Sequence, residues 1–124
     1  VTGVQTCALP IFVTDAMSTV GSDQTVFELN GRQIFRRNGR LTLADGTLAG
    51  ADLDMNAAVR FIAGNTDLPL TEALRMASLY PARCLGIETT RGQLGRGAVA
   101  DLVHIDDSAT VRPVWIAGVR RVAP

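Results

Sequence analysis

The apolar positions change their spacing twice along the chain. The first stretch is β-prone: Phe12-Val13-Thr14 is a short apolar run ending on Asp15-Ala16-Met17, and the polar, Gly-containing residues 19–24 read as a loop. Two Asn-Gly pairs follow, Asn30-Gly31 and Asn38-Gly39, each flanked by β-formers. Asn-Gly supplies positive φ at both central positions of a type I′ turn, which matches the twist of a hairpin. Val26–Leu29, Arg32–Arg37 and residues 40–43 are therefore predicted to form a three-stranded meander. Its middle strand should be half solvated, with Arg36 and Arg37 beside Ile34 and Phe35.

Asp45-Gly46-Thr47-Leu48-Ala49-Gly50 reads as a turn and small-residue loop, after which Asp52 or Asp54 can cap a helix. In that helix Met55, Ala58, Val59 and Ile62 recur at i, i+3, i+4 and i+7, and Gly64 stands where it should stop. Leu70, Ala73, Leu74 and Ala77 repeat the spacing in a second helix entered through Pro69. A short third helix is predicted over residues 80–86, with Pro81 in its first turn and Gly86 at its end. From Gly92 the pattern turns to short strands, at residues 100–105, 111–117 and 119–122, with Gly92, Gly95 and Gly97 marking turns and Gly118 a turn or bulge. No internal repeat or low-complexity tract interrupts this order.

Composition narrows the class without naming a function. The chain has 124 residues, enough for one domain or pieces of two, with 12 basic and 12 acidic side chains. Zero net charge gives no steering towards nucleic acid or an anionic membrane, and neither is expected as a partner. No apolar run approaches the roughly 20 residues needed to span a bilayer. An apolar content of 47% with balanced charge is too high for a disordered tail. Every basic residue is Arg, which codon usage in a GC-rich genome accounts for without selection for anion binding.

Residues 1–11 carry no charge, no periodicity and neither part of a secretory signal. The string is similar to a common sequencing-adapter oligonucleotide read in frame. The expectation is a non-native segment fused to a truncated gene whose natural part begins near Phe12. Setting Cys7 aside leaves Cys84 alone, which excludes an internal disulfide and leans towards a reducing compartment. With no nearby His, Cys84 reads as a buried apolar filler rather than a nucleophile.

The chemistry available is sparse. His104, the only His, falls inside a predicted strand and reads as a solvent-facing strand residue, since a metal site needs about three converging ligands. Gly92-x-x-Gly95-x-Gly97 precedes a strand rather than opening a helix, which excludes a dinucleotide loop. Asp15 is the acid of interest. An Asp directly after an apolar strand occupies the place where an α/β barrel puts its chemistry, at a strand's C-terminal end. A turn or capping role is the plain alternative.

Three segments in order carry a family likeness: Val13-Thr14-Asp15-Ala16-Met17, then Asp45-Gly46-Thr47-Leu48-Ala49-Gly50 after the Asn-Gly meander, then Ala73-Leu74-Arg75-Met76-Ala77-Ser78-Leu79-Tyr80-Pro81-Ala82-Arg83. The chain closes on Gly92-x-Leu94-x-x-Gly97-x-x-Ala100-Asp101-Leu102-Val103, a pattern widespread in the amidohydrolase superfamily. From Phe12 to about Val122 the sequence resembles the C-terminal third of the N-acetylglucosamine-6-phosphate deacetylases of that superfamily. The resemblance implies the last part of a (β/α)8 metal-dependent hydrolase barrel plus part of an accessory β-sandwich. Residues 12–90 would supply the last barrel strand, the meander insertion and helices, and residues 91–124 the C-terminal sandwich strands.

The activity implied is hydrolysis of the acetamide of N-acetylglucosamine 6-phosphate to glucosamine 6-phosphate and acetate, with a divalent metal (zinc or similar) in the full-length enzyme. Asp15 matches the family's catalytic Asp, thought to activate water and then protonate the departing amine. Leu48, Ala49 and Gly50 match a loop lining the sugar site, where small residues let the backbone approach a hydroxylated ligand. A hairpin-to-helix connector is the plain alternative there. The family's metal ligands, one Glu and two His, and its phosphate contacts lie on earlier strands. The chain as written is therefore expected to hold no metal and to be inactive. A small-molecule amino-sugar phosphate as substrate, a cytoplasmic location and a homo-oligomeric parent complete the expectation. Two rivals remain: another amidohydrolase, dihydroorotase- or adenine-deaminase-like, and a non-catalytic β-rich binding module.

Overall fold

The structure is a computed structural model that describes residues 10–121. The predicted opening segment falls mostly outside the described residues. The chain forms two compact units, one of Val13–Ala58 and one that runs from Val59 onwards and includes Phe12.

The first unit is built on a four-stranded antiparallel sheet in sequential order. Its strands are β1 (Val26–Leu29), β2 (Arg32–Arg37), β3 (Arg40–Thr42) and β4 (Leu48–Ala51). Both Asn-Gly pairs make the predicted turns, with φ of 52° and 73° at Asn30-Gly31 and 52° and 71° at Asn38-Gly39. The registers follow directly, Leu29 opposite Arg32 and Arg37 opposite Arg40. One face carries Phe27, Ile34, Arg36, Leu41 and Gly50, and there Ile34 and Leu41 are buried, together with Thr19. On the other face the Arg37 guanidinium lies 5.2 Å from the centre of the Phe35 ring.

Two expectations are corrected in this unit. Residues 48–51 form a strand, not a loop. Small side chains give no apolar alternation to read, but the backbone of Leu48, Gly50 and Ala51 pairs with β3. Phe12-Val13-Thr14, in turn, is no strand. A strand exists only through a neighbour's N–H and C=O groups, and among the described residues this run has no such partner beyond the Phe12 N–H, which donates to the Met76 carbonyl at 3.1 Å. Val13 is exposed.

Helix α1 (Met55–Asn65) begins where Asp54 caps it, its Oδ1 accepting the Ala57 N–H at 2.7 Å. It runs one residue past Gly64, since a single Gly weakens a helix without ending it.

In the second unit α2 (Leu70–Ala77) follows Pro69 and α3 (Leu79–Cys84) follows Ser78. Ala73, Met76, Tyr80 and Ala82 form its core along with Val59. α3 ends in a Schellman motif: Ile87 N–H donates to the Ala82 carbonyl, Gly86 N–H to Arg83, and Gly86 takes φ +69°. Cys84 is exposed, against expectation. The buried positions of this six-residue helix are taken by Tyr80 and Ala82, and its last residue is left facing water.

The same unit holds a second antiparallel sheet of β5 (Leu102–Ile105), β6 (Val111–Ile116) and β7 (Val119–Arg121). His104 stands exposed on β5, as read from the sequence. Both sheets are antiparallel, and among the described residues no barrel is closed. No helix among them is long and apolar enough to cross a membrane.

Candidate active site

Asp15 is exposed and has left-handed backbone, φ +49°. Asp tolerates this region better than most residues, but it still costs energy and persists only where the surroundings enforce it. Among the described residues its carboxylate has no hydrogen-bond or ion-pair partner, so it is available to something outside the fold.

The next two residues are fixed to the edge of the sheet. Ala16 makes a parallel bridge with Ala51, and the Met17 N–H donates to the Ala51 carbonyl at 3.1 Å. This joins Asp15 to the strand carrying Leu48, Ala49 and Gly50, the residues expected to line a sugar site. Pairing β4 with β3 skips Ala49, because Leu41 faces Gly50 and Thr42 faces Leu48. Such a bulge re-aims side chains and is common beside active sites. Gly50 has φ +146°, and a Cβ there would lie 2.5 Å from Met17 Cγ. Glycine is required on both counts.

Leu48 is exposed, and with Ala49 it borders a groove of about 460 Å³ also lined by Leu29, Arg32, Ile34 and Thr47. At its turn the Thr47 N–H, then the Thr47 hydroxyl, hold the Asp45 carboxyl below its ordinary pKa, with a smaller contribution from Arg32. The arrangement is an unpaired carboxylate next to a strand edge of small residues. It can carry a proton, and it can let a polyhydroxylated molecule approach closely.

Sequence reasoning missed a polar pair behind this edge. Asp52, read as a possible cap, instead accepts a hydrogen bond from Arg36 Nε at 2.8 Å, with its side chain almost fully buried. The hydrogen bond to Asp52 holds the Arg36 pKa above its ordinary value. No sequence signal pairs them, because they meet only through the register of three strands.

No group of three metal-ligating side chains occurs among the described residues. The residues present therefore do not form a metal centre by themselves.

Comparison with known proteins defines the class. The amidohydrolase family model matches residues 2–121, and the chain belongs to that family. It is 42% identical over 108 residues to an N-acetylgalactosamine-6-phosphate deacetylase of Shewanella sp. (strain ANA-3), a match covering 87% of this chain and 27% of that protein. With the N-acetylglucosamine-6-phosphate deacetylase of Homo sapiens it shares 36% identity over 110 residues, again 87% of this chain and 27% of the other. The crystal structure of N-acetylglucosamine-6-phosphate deacetylase from Pasteurella multocida superposes with a TM-score of 0.83 at 29% identity, over 91% of this chain and 30% of that one. A mutant of the Mycobacterium smegmatis enzyme in complex with N-acetyl-D-glucosamine-6-phosphate superposes with a TM-score of 0.78 at 32% identity, with the same coverage. The chain thus spans under a third of the length of these four proteins.

Proposed function

We propose that this chain is the C-terminal part of an enzyme that hydrolyses the acetamide of N-acetylglucosamine 6-phosphate, releasing glucosamine 6-phosphate and acetate. The observation that carries the reading is the bridge between Ala16 and Ala51, which sets an unpaired acid in strained backbone beside the bulged Leu48-Ala49-Gly50 edge. Relatives named as deacetylases of two hexosamine phosphates supply the substrate class. Because one relative at 42% identity is named for N-acetylgalactosamine 6-phosphate, that sugar is the second candidate.

In this reading the Asp15 carboxylate takes a proton from the water that adds to the acetyl carbon. It then delivers that proton to the amine nitrogen as the C–N bond breaks, so acid and base work fall to one group in sequence. Gly50 and its neighbours present backbone N–H and C=O groups to the sugar hydroxyls. The amidohydrolase family is generally metal-dependent. The described residues do not form such a site, and we assign a divalent ion, zinc or similar, to ligands beyond this chain.

The same reading makes residues 12–90 the end of a (β/α)8 barrel and residues 91–124 part of an accessory β-sandwich, in a cytoplasmic homo-oligomer. The free, exposed Cys84 suits a reducing compartment.

The test is acetate release by the product of the complete gene, with both sugar phosphates as substrates. Asp15→Asn should lower kcat by about 10²–10⁴-fold with KM changed little. Turnover of neither sugar would overturn the activity, and unchanged kcat in the variant would remove Asp15 from the proton-carrying role.

A further inference from the structure

Arg36 ties together the two stretches of backbone that hold Asp15 in place. Its Nε donates to Asp52 Oδ2 at 2.8 Å, and its Nη1 donates to the Ser22 carbonyl. Asp52 directly follows Ala51, the residue that bridges Ala16 and accepts the Met17 N–H. Val20 N–H closes a turn onto the Met17 carbonyl, and Ser22 closes the next one: its N–H and its hydroxyl both donate to the carbonyl of fully buried Thr19, at 3.1 and 2.8 Å. Residues 16–22 are thus pinned near both ends, and one guanidinium reaches both pins.

The pair is poorly arranged to contribute stability. The Asp52 side chain is only 6% exposed, and among the described residues its Oδ1 has no hydrogen-bond partner. An ion pair whose carboxylate is buried with one oxygen unsatisfied, while its Arg36 partner stays partly exposed, gains little, because desolvation of the carboxylate offsets the attraction. What it supplies is geometry: a planar fork that sets two backbone segments at a fixed separation. The residue those segments flank has φ +49°, a conformation that needs enforcing.

We propose that Arg36, acting with Asp52, is a positioning residue for Asp15, holding the carboxylate at the reacting amide without touching the substrate. This rests on the reading of Asp15 as the proton carrier.

The experiment uses the full-length enzyme and three variants: Arg36→Met/Asp52→Leu, which removes both charges so that none is left buried alone, Arg36→Lys, and Asp15→Asn. Folding is checked by thermal melting, and kcat and KM are measured on N-acetylglucosamine 6-phosphate. The charge-free double variant should fold and lose about 10–100-fold in kcat with KM within about 2-fold, as a displaced proton carrier would. Arg36→Lys should fall between it and the parent, because a single ammonium cannot reproduce the fork.

Added to Asp15→Asn, the charge-free pair should cost no further activity, since nothing is left to position. A purely structural role would instead give losses that multiply. The inference fails if the folded variant keeps its kcat, if only KM moves, or if the losses multiply. Should the charge-free variant not fold, Arg36→Lys decides by the same three measures. If Asp15→Asn itself leaves turnover intact, the proton-carrier reading has failed first. If it abolishes turnover while the Arg36 variants do not respond, only the positioning role is lost.

Discussion

Asp101 Oδ1 accepts the backbone N–H of Ala117 at 2.8 Å, across 16 residues of chain. Ala117 and Gly118 form the turn between β6 and β7 with φ of 50° and 78°, the same I′ geometry that Asn-Gly makes twice in the first sheet. The neighbouring Gly118 N–H donates to the Ala100 carbonyl at 2.9 Å. The other Asp101 oxygen takes Arg91. The Ala-Asp-Leu segment that looked like an unspecific family motif therefore has a physical role: it pins a turn whose first residue is badly suited to it.

Replacing that residue tests the account. Ala117→Asn should stabilise the protein by about 1 kcal/mol, because Asn accepts left-handed backbone more readily than Ala. Asp101→Asn should lower the melting temperature, since it weakens both the amide contact and the Arg91 pair. Chemical denaturation of the two variants and their combination checks this. Equal stability of Ala117→Asn and the parent would show that the turn is not strained.

Four carboxylates give the acid side of the stability curve its sign. The Ala117 amide, then Arg91, lowers the Asp101 pKa. The Ser108 hydroxyl and the Thr110 amide lower that of Asp106, with help from Arg112. Glu72 is lowered by the Tyr80 hydroxyl and then Arg75, and Asp45 by Thr47. Each folded-state pKa lies below its ordinary value, 3.8 for Asp and 4.5 for Glu. Their contribution is therefore complete above those values and disappears as pH falls through the folded-state ones. Urea midpoints should be flat above about pH 5 and fall below about pH 4, with solvent screening keeping each share small. Asp106→Asn should flatten that fall. A midpoint that rises on acidification would contradict the assignment.

Gly50 links stability to the candidate site. Any side chain there meets Met17, the residue whose N–H ties the Asp15 segment to β4. Gly50→Ala should cost about 2–4 kcal/mol from overpacking and left-handed backbone together. In the complete enzyme it should also raise KM by disturbing the strand edge. Met17→Ala in the same chain should recover the overlap but not the backbone part. Full recovery, measured by denaturation, would mean the φ of +146° carries no cost.

What was legible in the sequence was local chemistry. Asn-Gly pairs, Asp54 before an apolar helix period, Pro69 at a helix entrance and Gly86 beyond an exit each act within a few residues, and each element appeared where those signals put it. Strand β4 was not legible, because Leu48-Ala49-Gly50-Ala51 owes its form to β3 rather than to its own side chains. Phe12-Val13-Thr14 failed for the converse reason: strong β propensity with no partner alongside. Cys84 was misjudged because its burial depended on what packs at the end of a six-residue helix. Of the candidate site, the sequence offers the acid and the small-residue run as separate signals, and shows neither the Ala16–Ala51 bridge that joins them nor the Arg36–Asp52 pair behind them. Both depend on pairing register, which acts over distances a single sequence does not encode locally.

Gly92 separates two kinds of glycine that the sequence pattern treats alike. It has φ +77°, and a Cβ would come within 2.7 Å of both Ala82 Cβ and the Ser78 carbonyl oxygen. Neither can yield, because Ser78 caps α3 through the Ala82 N–H and Ala82 is buried in the core. Gly39 has a similar φ of +71° but open space around its Cβ position. Gly39→Ala should therefore cost only the backbone term, about 1–2 kcal/mol. Gly92→Ala adds overpacking against a rigid helix end, for about 2–5 kcal/mol in total. Denaturant midpoints of the two variants give the comparison directly. Equal losses would mean that the segment carrying Gly92 moves away from α3 freely and that the packing there does not constrain it.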